Sequence, residues 1–411
     1  MKPMSQGKAI IIFVVFAFAY FFSTLIRAVT ATLAPTLVQE FSLNARDLGL
    51  LAGGYFLGFA AIQLPLGQWL DRFGPKKVVL SFLSIAVLGC VAFSMATGFT
   101  GLVLARMLCG VGVGACLMAP LTGYRRWYAP ANQMRANSWM LMVGALGMVA
   151  STLPVQWLLP YVGWRSLFLG LGGLVVLAML LMAWQIPAWE VTPVTPADTV
   201  AVQTAEVVPP GYAQVWSNPY FRRMAPLGFF NYGGMVALQT LWAAPWMVRV
   251  GGYSALQAAT GLFWINVAML VVFWLWGLAN PWLARNGFTA DRLMVWGVPL
   301  SVAMLATLIG AGDAYPAGIA AILLLYCVTS TVCAFAQPAV ALAFPTALAG
   351  RALSAYNLVI FCGVFAVQWG VGLLVDGFRA LQWSEVAAYQ GAIAVFGGCC
   401  IAAYLHFLRA K

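Results

Sequence analysis

Polar side chains recur along one face of the first apolar stretch of the chain. Tyr20, Ser23, Thr24, Arg27 and Thr30 follow each other at helical spacing, so a helix would align them in one stripe. A guanidinium at bilayer depth costs from about 2.5 to over 10 kcal/mol, so Arg27 must face protein or a water-filled cavity. Its rigid fork of donors suits a carboxylate or a phosphate. The stripe therefore predicts a site that could bind an anion.

No acidic residue that could neutralise Arg27 is available inside an apolar stretch. The chain has ten Asp and Glu residues, and all of them fall in loops or near the ends of such stretches. Two interpretations of Arg27 are therefore open. Either an anionic substrate supplies the counter-charge, or hydroxyls and backbone carbonyls of the protein hold the guanidinium.

Polar residues of later stretches are further candidates for lining a central cavity. In the seventh stretch, Gln239 lies seven residues after Tyr232 and three before Trp242, so the three side chains share a helix face. Asn357 lies in the eleventh stretch. Each amide could instead form a hydrogen bond between helices. The predicted substrate-binding residues are Arg27, Tyr20, Ser23, Thr24, Tyr232, Gln239, Trp242 and Asn357.

The composition places these stretches in a membrane. Of 411 residues, 63% are hydrophobic and only 8% are charged, whereas a soluble domain has about 25% charged residues. The first stretch is longer than the apolar core of a signal peptide and is followed by others, so we interpret it as a membrane span. The predicted spans are residues 9–34, 48–70, 77–97, 99–123, 137–159, 164–186, 224–248, 257–282, 290–311, 316–343, 353–375 and 386–407.

The distribution of positive charge predicts the orientation of the spans. Most of the 21 lysines and arginines fall on the side that carries both termini, which by the positive-inside rule is the cytoplasm. We therefore expect a multi-pass protein of the cell inner (plasma) membrane. The net charge of +11 reflects these cytoplasmic loops and does not indicate binding to nucleic acid.

The chain is predicted to be divided into two halves of six spans each. A stretch rich in Pro, Thr and Val separates spans six and seven and has little periodicity, so residues 188–222 are predicted to form a cytoplasmic linker. The halves would then be residues 1–187 and 223–411. The expected fold is an all-α membrane protein with twelve transmembrane helices in two pseudo-symmetric bundles, and with a binding site between the bundles near the midplane.

Two motifs make the resemblance to a family specific. The segment "GQWLDRFGPKK" (67–77) resembles motif A of the major facilitator superfamily, a G-x-x-x-D-R-x-G-R/K-K/R pattern between spans two and three. The segment "RMLCGVGVGA" (106–115) resembles motif B of the same family, in span four. The matching residues are Gly67, Asp71, Arg72, Gly74 and Lys76 in motif A, and Arg106 and Gly110 in motif B.

The resemblance implies a role for each of these motif residues. Gly67 would let two helices approach closely, and Asp71 would accept hydrogen bonds from a neighbouring span. Arg72 and Lys76 would anchor the loop at anionic headgroups. Arg106 would be a buried arginine, with the motif B glycines forming its close-packed face.

The resemblance also implies a function. Members of the family are secondary active or facilitative transporters that work by alternating access, so no enzymatic activity and no cofactor are expected. The expected partners are a small-molecule substrate and the lipid bilayer, with the chain acting as a monomer. The first half looks like the glycerol-3-phosphate:phosphate antiporters, in which a substrate arginine also lies eight residues before a proline, here Pro35. Their second arginine is replaced here by Ala237, which favours a singly charged organic or inorganic anion, such as a monocarboxylate.

The sequence leaves alternatives open for the energy source of transport and for the class of substrate. No span carries a central carboxylate, and the only histidine, His406, lies at the end of the last span. Exchange, uniport or symport with the proton carried on the substrate is therefore favoured over a dedicated proton site. Metal (copper) uptake, export of a drug or metabolite, and a membrane enzyme or receptor are the competing interpretations. The Gly-Pro pair typical of drug antiporters is missing from span five.

Overall fold

The computed structural model describes residues 6–128, 130–187 and 212–409. This part of the chain is built of helices and contains no β-strand. Most of the predicted linker, residues 188–211, lies outside the described residues. Its last residues form the short helix Tyr212–Ser217, and the helix Pro219–Pro226 then leads into span seven.

Span one is a single long helix, and span two is bent. Span one is Gln6–Phe41, which continues through Pro35. Span two consists of Ala45–Ala61 and Gln63–Leu70, which meet at an angle of 42°. Asn44 starts span two with a reciprocal capping box, in which its side chain accepts from the backbone of Asp47 at 2.8 Å.

Glycines with positive φ join consecutive spans of the first half. Helix Gln63–Met95 holds the end of span two and all of span three, and Gly74 turns the chain between them with φ of 78°. Helix Leu153–Gln185 holds the end of span five and all of span six, with Gly163 at φ of 68° between them. Only glycine adopts this conformation without strain, so both residues are needed where the chain reverses. The remaining helices of this half are Phe99–Val113 and Met118–Trp127 in span four, and Pro130–Ala150 in span five.

Span seven alternates between α- and π-helical segments, whereas the following spans are more regular. Its π-helical segments hold two of the predicted site residues, Tyr232 and Gln239, and π-segments within helices are frequent at functional sites. After the leading helix Pro219–Pro226, the segments of span seven are Leu227–Tyr232 (π), Gly233–Ala237, Leu238–Trp242 (π) and Ala243–Arg249. Spans eight to twelve are Ala255–Arg285, Ala290–Ala311, Pro316–Leu342, Thr346–Ala380 and Glu385–Arg409.

The helices confirm an all-α protein that crosses the membrane many times. Within the described ranges, nine helices are long and apolar enough to span a bilayer, and bent span two makes a tenth. The two remaining predicted spans are interrupted helices. Span five is broken at Ser151–Thr152, and span seven is broken by its π-helical segments. The predicted fold class of twelve membrane helices is therefore correct.

Motif A departs from two of the roles that the resemblance implied. Gly67 is exposed, and a Cβ built on it meets no atom within 4 Å, so the expected close helix approach at Gly67 is wrong for this conformation. Lys76 does not reach toward lipid headgroups: its Nζ donates to the carbonyls of Ala183 and Ile186 at 2.7 and 2.8 Å. Lys76 thus caps the C-terminus of span six, where a cation is favoured by the helix dipole.

The other motif A residues are consistent with a loop at the surface. Gly74 supplies the positive φ already described. Arg72 is exposed, and its Cζ lies 5.2 Å from the ring centroid of Phe73. The side chain of Asp71 is outside the part of the structure that is described, so its predicted hydrogen bonds stay a prediction.

Spans two and eleven form a close contact between the two sequence halves. A Cβ on Gly49 would overlap the carbonyl oxygen of Gln368, and one on Gly372 would overlap that of Ala45. One turn beyond Gly49, Gly53 packs against the ring of Phe365. Glycine is required here because only a missing side chain lets the two backbones come so close.

Asp376 closes this contact at the end remote from the chain termini. Its Oδ1 accepts from the backbone N–H of Ala45 at 3.2 Å, and its Oδ2 accepts from that of Arg46 at 2.8 Å. A carboxylate of span eleven thus caps the N-terminus of the span two helix, where the helix dipole favours negative charge. The cap joins the two halves and must break when they separate at this end.

Replacing Asp376 with alanine is expected to accelerate amide exchange at the start of span two. The backbone N–H groups of Ala45 and Arg46 lose their acceptor, and the charge-assisted bonds that close this end disappear. We expect about tenfold faster hydrogen–deuterium exchange at these two amides, measured by mass spectrometry on a peptide that begins several residues before Ala45. Asp313→Ala, in an exposed loop on the same side, is the control. Equal exchange in both variants would contradict the capping role.

Candidate functional site

Arg27 lies at the contact between the two halves. Its Cζ is 5.5 Å from the ring centroid of Phe59 in span two and 5.9 Å from that of Phe361 in span eleven. The two rings touch each other, with centroids 4.5 Å apart. Cation–π contacts of this kind attract a guanidinium but leave its N–H donors free for other partners.

Arg27 donates no well-formed hydrogen bond to the described part of the chain, and the Tyr55 hydroxyl is a polar group that lies close to it. The Nε atom is buried and makes no hydrogen bond. None of the four ion pairs among the described residues includes Arg27. Buried arginine donors without a partner are rare in folded proteins, which is typical of a site whose partner is a ligand.

A second arginine beside it, Arg106, is held by the backbone. Arg106 is fully buried, and its Nη1 donates to the carbonyl of Ile26 at 2.8 Å while its Nη2 donates to the carbonyl of Arg27 at 3.3 Å. Its Cζ lies 4.9 Å from the ring centroid of Tyr55. The arrangement that one interpretation assigned to Arg27, an arginine held by backbone carbonyls, is therefore that of Arg106, of which only Nε is unbonded.

The motif B glycine permits this arrangement. A Cβ on Gly110 would overlap the carbonyl oxygen of Tyr55 and approach the backbone N of Phe59 to 3.1 Å. Span four can therefore pack directly on span two, which brings Arg106 under the Tyr55 ring. As the resemblance implied, Arg106 is buried and Gly110 belongs to a close-packed face.

Three buried hydroxyls near Arg27 are also without partners. Ser23 and Thr30 lie one turn to either side of Arg27 on span one, and neither side-chain oxygen makes a hydrogen bond with another described residue. The hydroxyl of Tyr55, which interacts electrostatically with Arg27, is likewise unbonded. Each of these groups can donate one hydrogen bond. Together with the guanidinium they form a cluster that offers several donors and contains no carboxylate, which suits an anion.

Tyr20 and Thr24 pack against span five, and Tyr20 is also close enough to Arg27 for electrostatic interaction. A Cβ on Gly144 would overlap the ring of Tyr20, and one on Gly147 would overlap the hydroxyl of Thr24, so both side chains pack against span five. The Thr24 hydroxyl donates to the carbonyl of Phe21 at 3.0 Å. Part of the predicted polar stripe of span one thus packs against span five, and substrate contact by Tyr20 and Thr24 stays a prediction.

The amides of the second half are bonded to neighbouring helices or segments. Gln239 donates from Nε2 to Oδ1 of Asn266 in span eight at 2.9 Å. Asn357 accepts at Oδ1 from Nε2 of Gln337 in span ten at 2.7 Å. For these two residues the structure shows the interhelical hydrogen bonds that the sequence left as an alternative. A substrate role in another conformation stays a prediction.

The aromatic candidates of span seven are placed differently from each other. Trp242 is buried, and its indole N–H donates to the carbonyl of Gln368 at 3.1 Å. Tyr232 is half-buried and lies close enough to Arg27 for electrostatic interaction. Tyr232 is therefore the predicted residue of the second half that the structure brings nearest to the donor cluster.

Sequence reasoning missed the aromatic surroundings of Arg27. Phe59, Phe361 and Tyr55 all fall within apolar runs, where an aromatic residue carries no signal that separates a site from the core. Their proximity to Arg27 depends on how spans one, two and eleven pack. Only the helix face of Arg27 was available from the sequence.

Comparisons with known proteins agree with this architecture. A family model described as Major Facilitator Superfamily matches residues 16–368. The gallate transporter of Pseudomonas putida is 29% identical over 62% of this chain, and the match spans 62% of that relative's length, which is less than two thirds. The 4-hydroxybenzoate transporter PcaK of Acinetobacter baylyi is 27% identical over 75% of this chain and 72% of its own length.

A solved structure has the same fold. It is a bacterial homolog to the human lysosomal transporter Spinster, in an inward-facing and unoccupied conformation. It covers 99% of this chain and 98% of its own, with a TM-score of 0.76 and 15% sequence identity. At this identity the likeness shows the fold alone.

Proposed function

The chain belongs to the major facilitator superfamily, and on that premise we propose that it transports a small organic anion across the cell inner membrane. It is a carrier and not an enzyme, and it works by alternating access of the two halves to a site around Arg27. Both termini face the cytoplasm, as the distribution of lysine and arginine favours.

The observation that carries this proposal is the contrast between two neighbouring arginines. Arg106 donates from both terminal nitrogens to backbone carbonyls and leaves only its Nε unbonded, whereas Arg27 makes no hydrogen bond with a described backbone carbonyl and lies beside unbonded hydroxyls. Keeping a guanidinium at this depth without a partner is costly, so an incoming anion gains strongly from binding there. Rocking of the halves can expose this site to each side in turn, because Phe59 and Phe361 come from opposite halves.

We propose that the anion is an aromatic monocarboxylate. Two relatives are named for gallate and 4-hydroxybenzoate, which are both aromatic acids with one carboxylate. A single guanidinium matches a single carboxylate, and the rings of Phe59, Phe361 and Tyr55 offer surfaces on which an aromatic ring can pack. A phosphate ester would carry more charge than one arginine neutralises.

The proposed substrate also bears on coupling. A carboxylic acid can carry a proton itself, so symport of the proton with the substrate needs no titratable residue in a span. The proposal therefore includes uniport, exchange or symport with the proton on the substrate. The part of the chain that the structure describes places its carboxylates at helix ends and in loops, away from Arg27.

Three ligands that share one ring test the proposed charge preference. Purified protein is heated with 4-hydroxybenzoate, with neutral 4-hydroxybenzamide or with cationic 4-hydroxybenzylamine. We expect only the acid to raise the melting temperature, since binding to the native state at 100 times Kd adds about 2.7 kcal/mol of stability. Cyclohexanecarboxylate, with the same charge and no aromatic ring, should stabilise less.

The same panel can contradict either part of the proposal. Stabilisation by the amine, or equal stabilisation by the amide and the acid, would refute an anion site. Equal stabilisation by cyclohexanecarboxylate would leave the anion site intact and refute the preference for an aromatic ring.

A further inference from the structure

A cavity lies away from Arg27, at the end of the molecule remote from the chain termini. Its volume is about 530 Å³, within the range of small-molecule sites. Both halves contribute to it, through the ends of spans one, seven and eleven and the starts of spans two and twelve. Pro35, Val38, Pro245 and Val248 form much of its apolar wall, and Arg249 and Arg379 lie at its polar side.

The charged residues that line this cavity differ in their hydrogen-bond and ion-pair partners. Both oxygens of Asp376 are occupied by the backbone N–H groups of span two. Glu385 pairs with Arg249 at 3.6 Å. Arg379 donates from Nη1 to the carbonyl of Trp383 at 2.8 Å, and it forms no ion pair with any carboxylate that the structure describes. Arg379 is therefore the lining cation that forms no ion pair and keeps guanidinium donors free, although Asp376, one turn earlier on the same helix, offsets its charge in the lining as a whole.

Aromatic rings and one stretch of span one lie between the cavity and the Arg27 site. Tyr389 lines the cavity, and its ring centroid is 6.1 Å from that of Trp242 and 6.5 Å from that of Trp246. These aromatic rings lie between the cavity and the deeper part of span seven. Ala34 also lines the cavity and is two helical turns from Arg27, about 10 Å along span one.

We propose that this cavity is an outer recognition site for the transported anion. An aromatic monocarboxylate binds there with its carboxylate on Arg379 and its ring against the wall of prolines and valines, before the halves move and it reaches Arg27. This inference rests on the proposed function, because the ligand is the same. Its basis in the structure is separate, since no residue of the outer cavity contacts Arg27.

The recognition rests on the same physical terms as at the deeper site. A guanidinium provides charge-assisted bonds to a carboxylate, and the rigid pyrrolidine rings provide a preformed apolar surface. Arg379 is exposed, so its attraction is screened by water and salt, and the outer site should be the weaker of the two. A weak first site suits a ligand that must then move on.

Binding of 4-hydroxybenzoate to variants that lack the deeper site tests the inference. Isothermal titration is carried out on purified wild type, on Arg27→Ala, and on Arg27→Ala combined with either Arg379→Gln or Arg165→Gln. We expect Arg27→Ala to keep a weak site. Arg379→Gln should weaken it at least tenfold, and Arg165→Gln should change it less than twofold. Arg165 is the matched control because it lies on the same side but outside the cavity, paired with Glu40 at 2.6 Å.

Each other result has a definite meaning. If wild type binds the acid and Arg27→Ala binds none, the outer site is refuted while the proposed function stands. If Arg379→Gln and Arg165→Gln weaken binding equally, the effect is one of overall charge, and the outer site is again refuted. If wild type does not bind the acid, the proposed substrate class fails and this inference fails with it.

Discussion

Arg27→Ala is expected to lower the initial rate of 4-hydroxybenzoate uptake at least 100-fold. The carboxylate would lose two charge-assisted bonds, each worth about 1.5–3 kcal/mol, in a region where no other described cation faces it. A loss of about 2.7 kcal/mol already corresponds to a factor of 100. The measurement is uptake of radiolabelled 4-hydroxybenzoate into proteoliposomes at a substrate concentration below KM.

Arg27→Lys and Arg165→Ala are the comparison variants in this uptake experiment. Lysine keeps the charge but not the planar fork, so we expect a rate between those of wild type and Arg27→Ala. Arg165 pairs with Glu40 at the surface, so its removal should leave transport within twofold of wild type. Uptake by Arg27→Ala at more than half of the wild-type rate would contradict the assignment of Arg27 as the anion-binding residue.

The fold was largely predictable because hydropathy reports directly on membrane spans. Twelve apolar stretches predicted twelve membrane helices, and span one appears as the continuous helix Gln6–Phe41. The helix boundaries were less accessible. Gly74 and Gly163 turn the chain between neighbouring spans at a single residue of positive φ, and span seven contains π-helical segments that no local sequence pattern indicates.

The candidate site was predictable only in part, because its chemistry depends on packing between spans. Helical spacing identified Arg27 and its stripe. It could not show that Arg106 would donate hydrogen bonds to the backbone carbonyls of Ile26 and Arg27 in span one. Both residues are arginines in apolar runs, and their surroundings differ through tertiary contacts alone. The same limit explains Lys76, whose partners Ala183 and Ile186 lie more than 100 residues away.

Arg106→Gln is expected to destabilise the protein by about 2–4 kcal/mol, the largest loss of stability among the variants considered. The substitution removes a fully buried guanidinium that bonds two carbonyls and lies over the Tyr55 ring. Glutamine is shorter and cannot reach both carbonyls. The expected result is a fall of several degrees in the melting temperature measured in detergent without ligand, together with weak transport, because the backbone at residues 26 and 27 positions Arg27.

The direction of the stability change separates the two arginines. Removing Arg27 abolishes a buried cation without a partner, so Arg27→Ala should melt at or above the wild-type temperature when no ligand is present. Removing Arg106 leaves carbonyls without their donor, so its variants should melt lower, with Arg106→Lys between wild type and Arg106→Gln. If Arg27→Ala and Arg106→Gln lowered the melting temperature equally, Arg27 would also be a structural arginine. The opposite signs are expected because one guanidinium is bonded within the protein, while the other keeps its donors for the substrate.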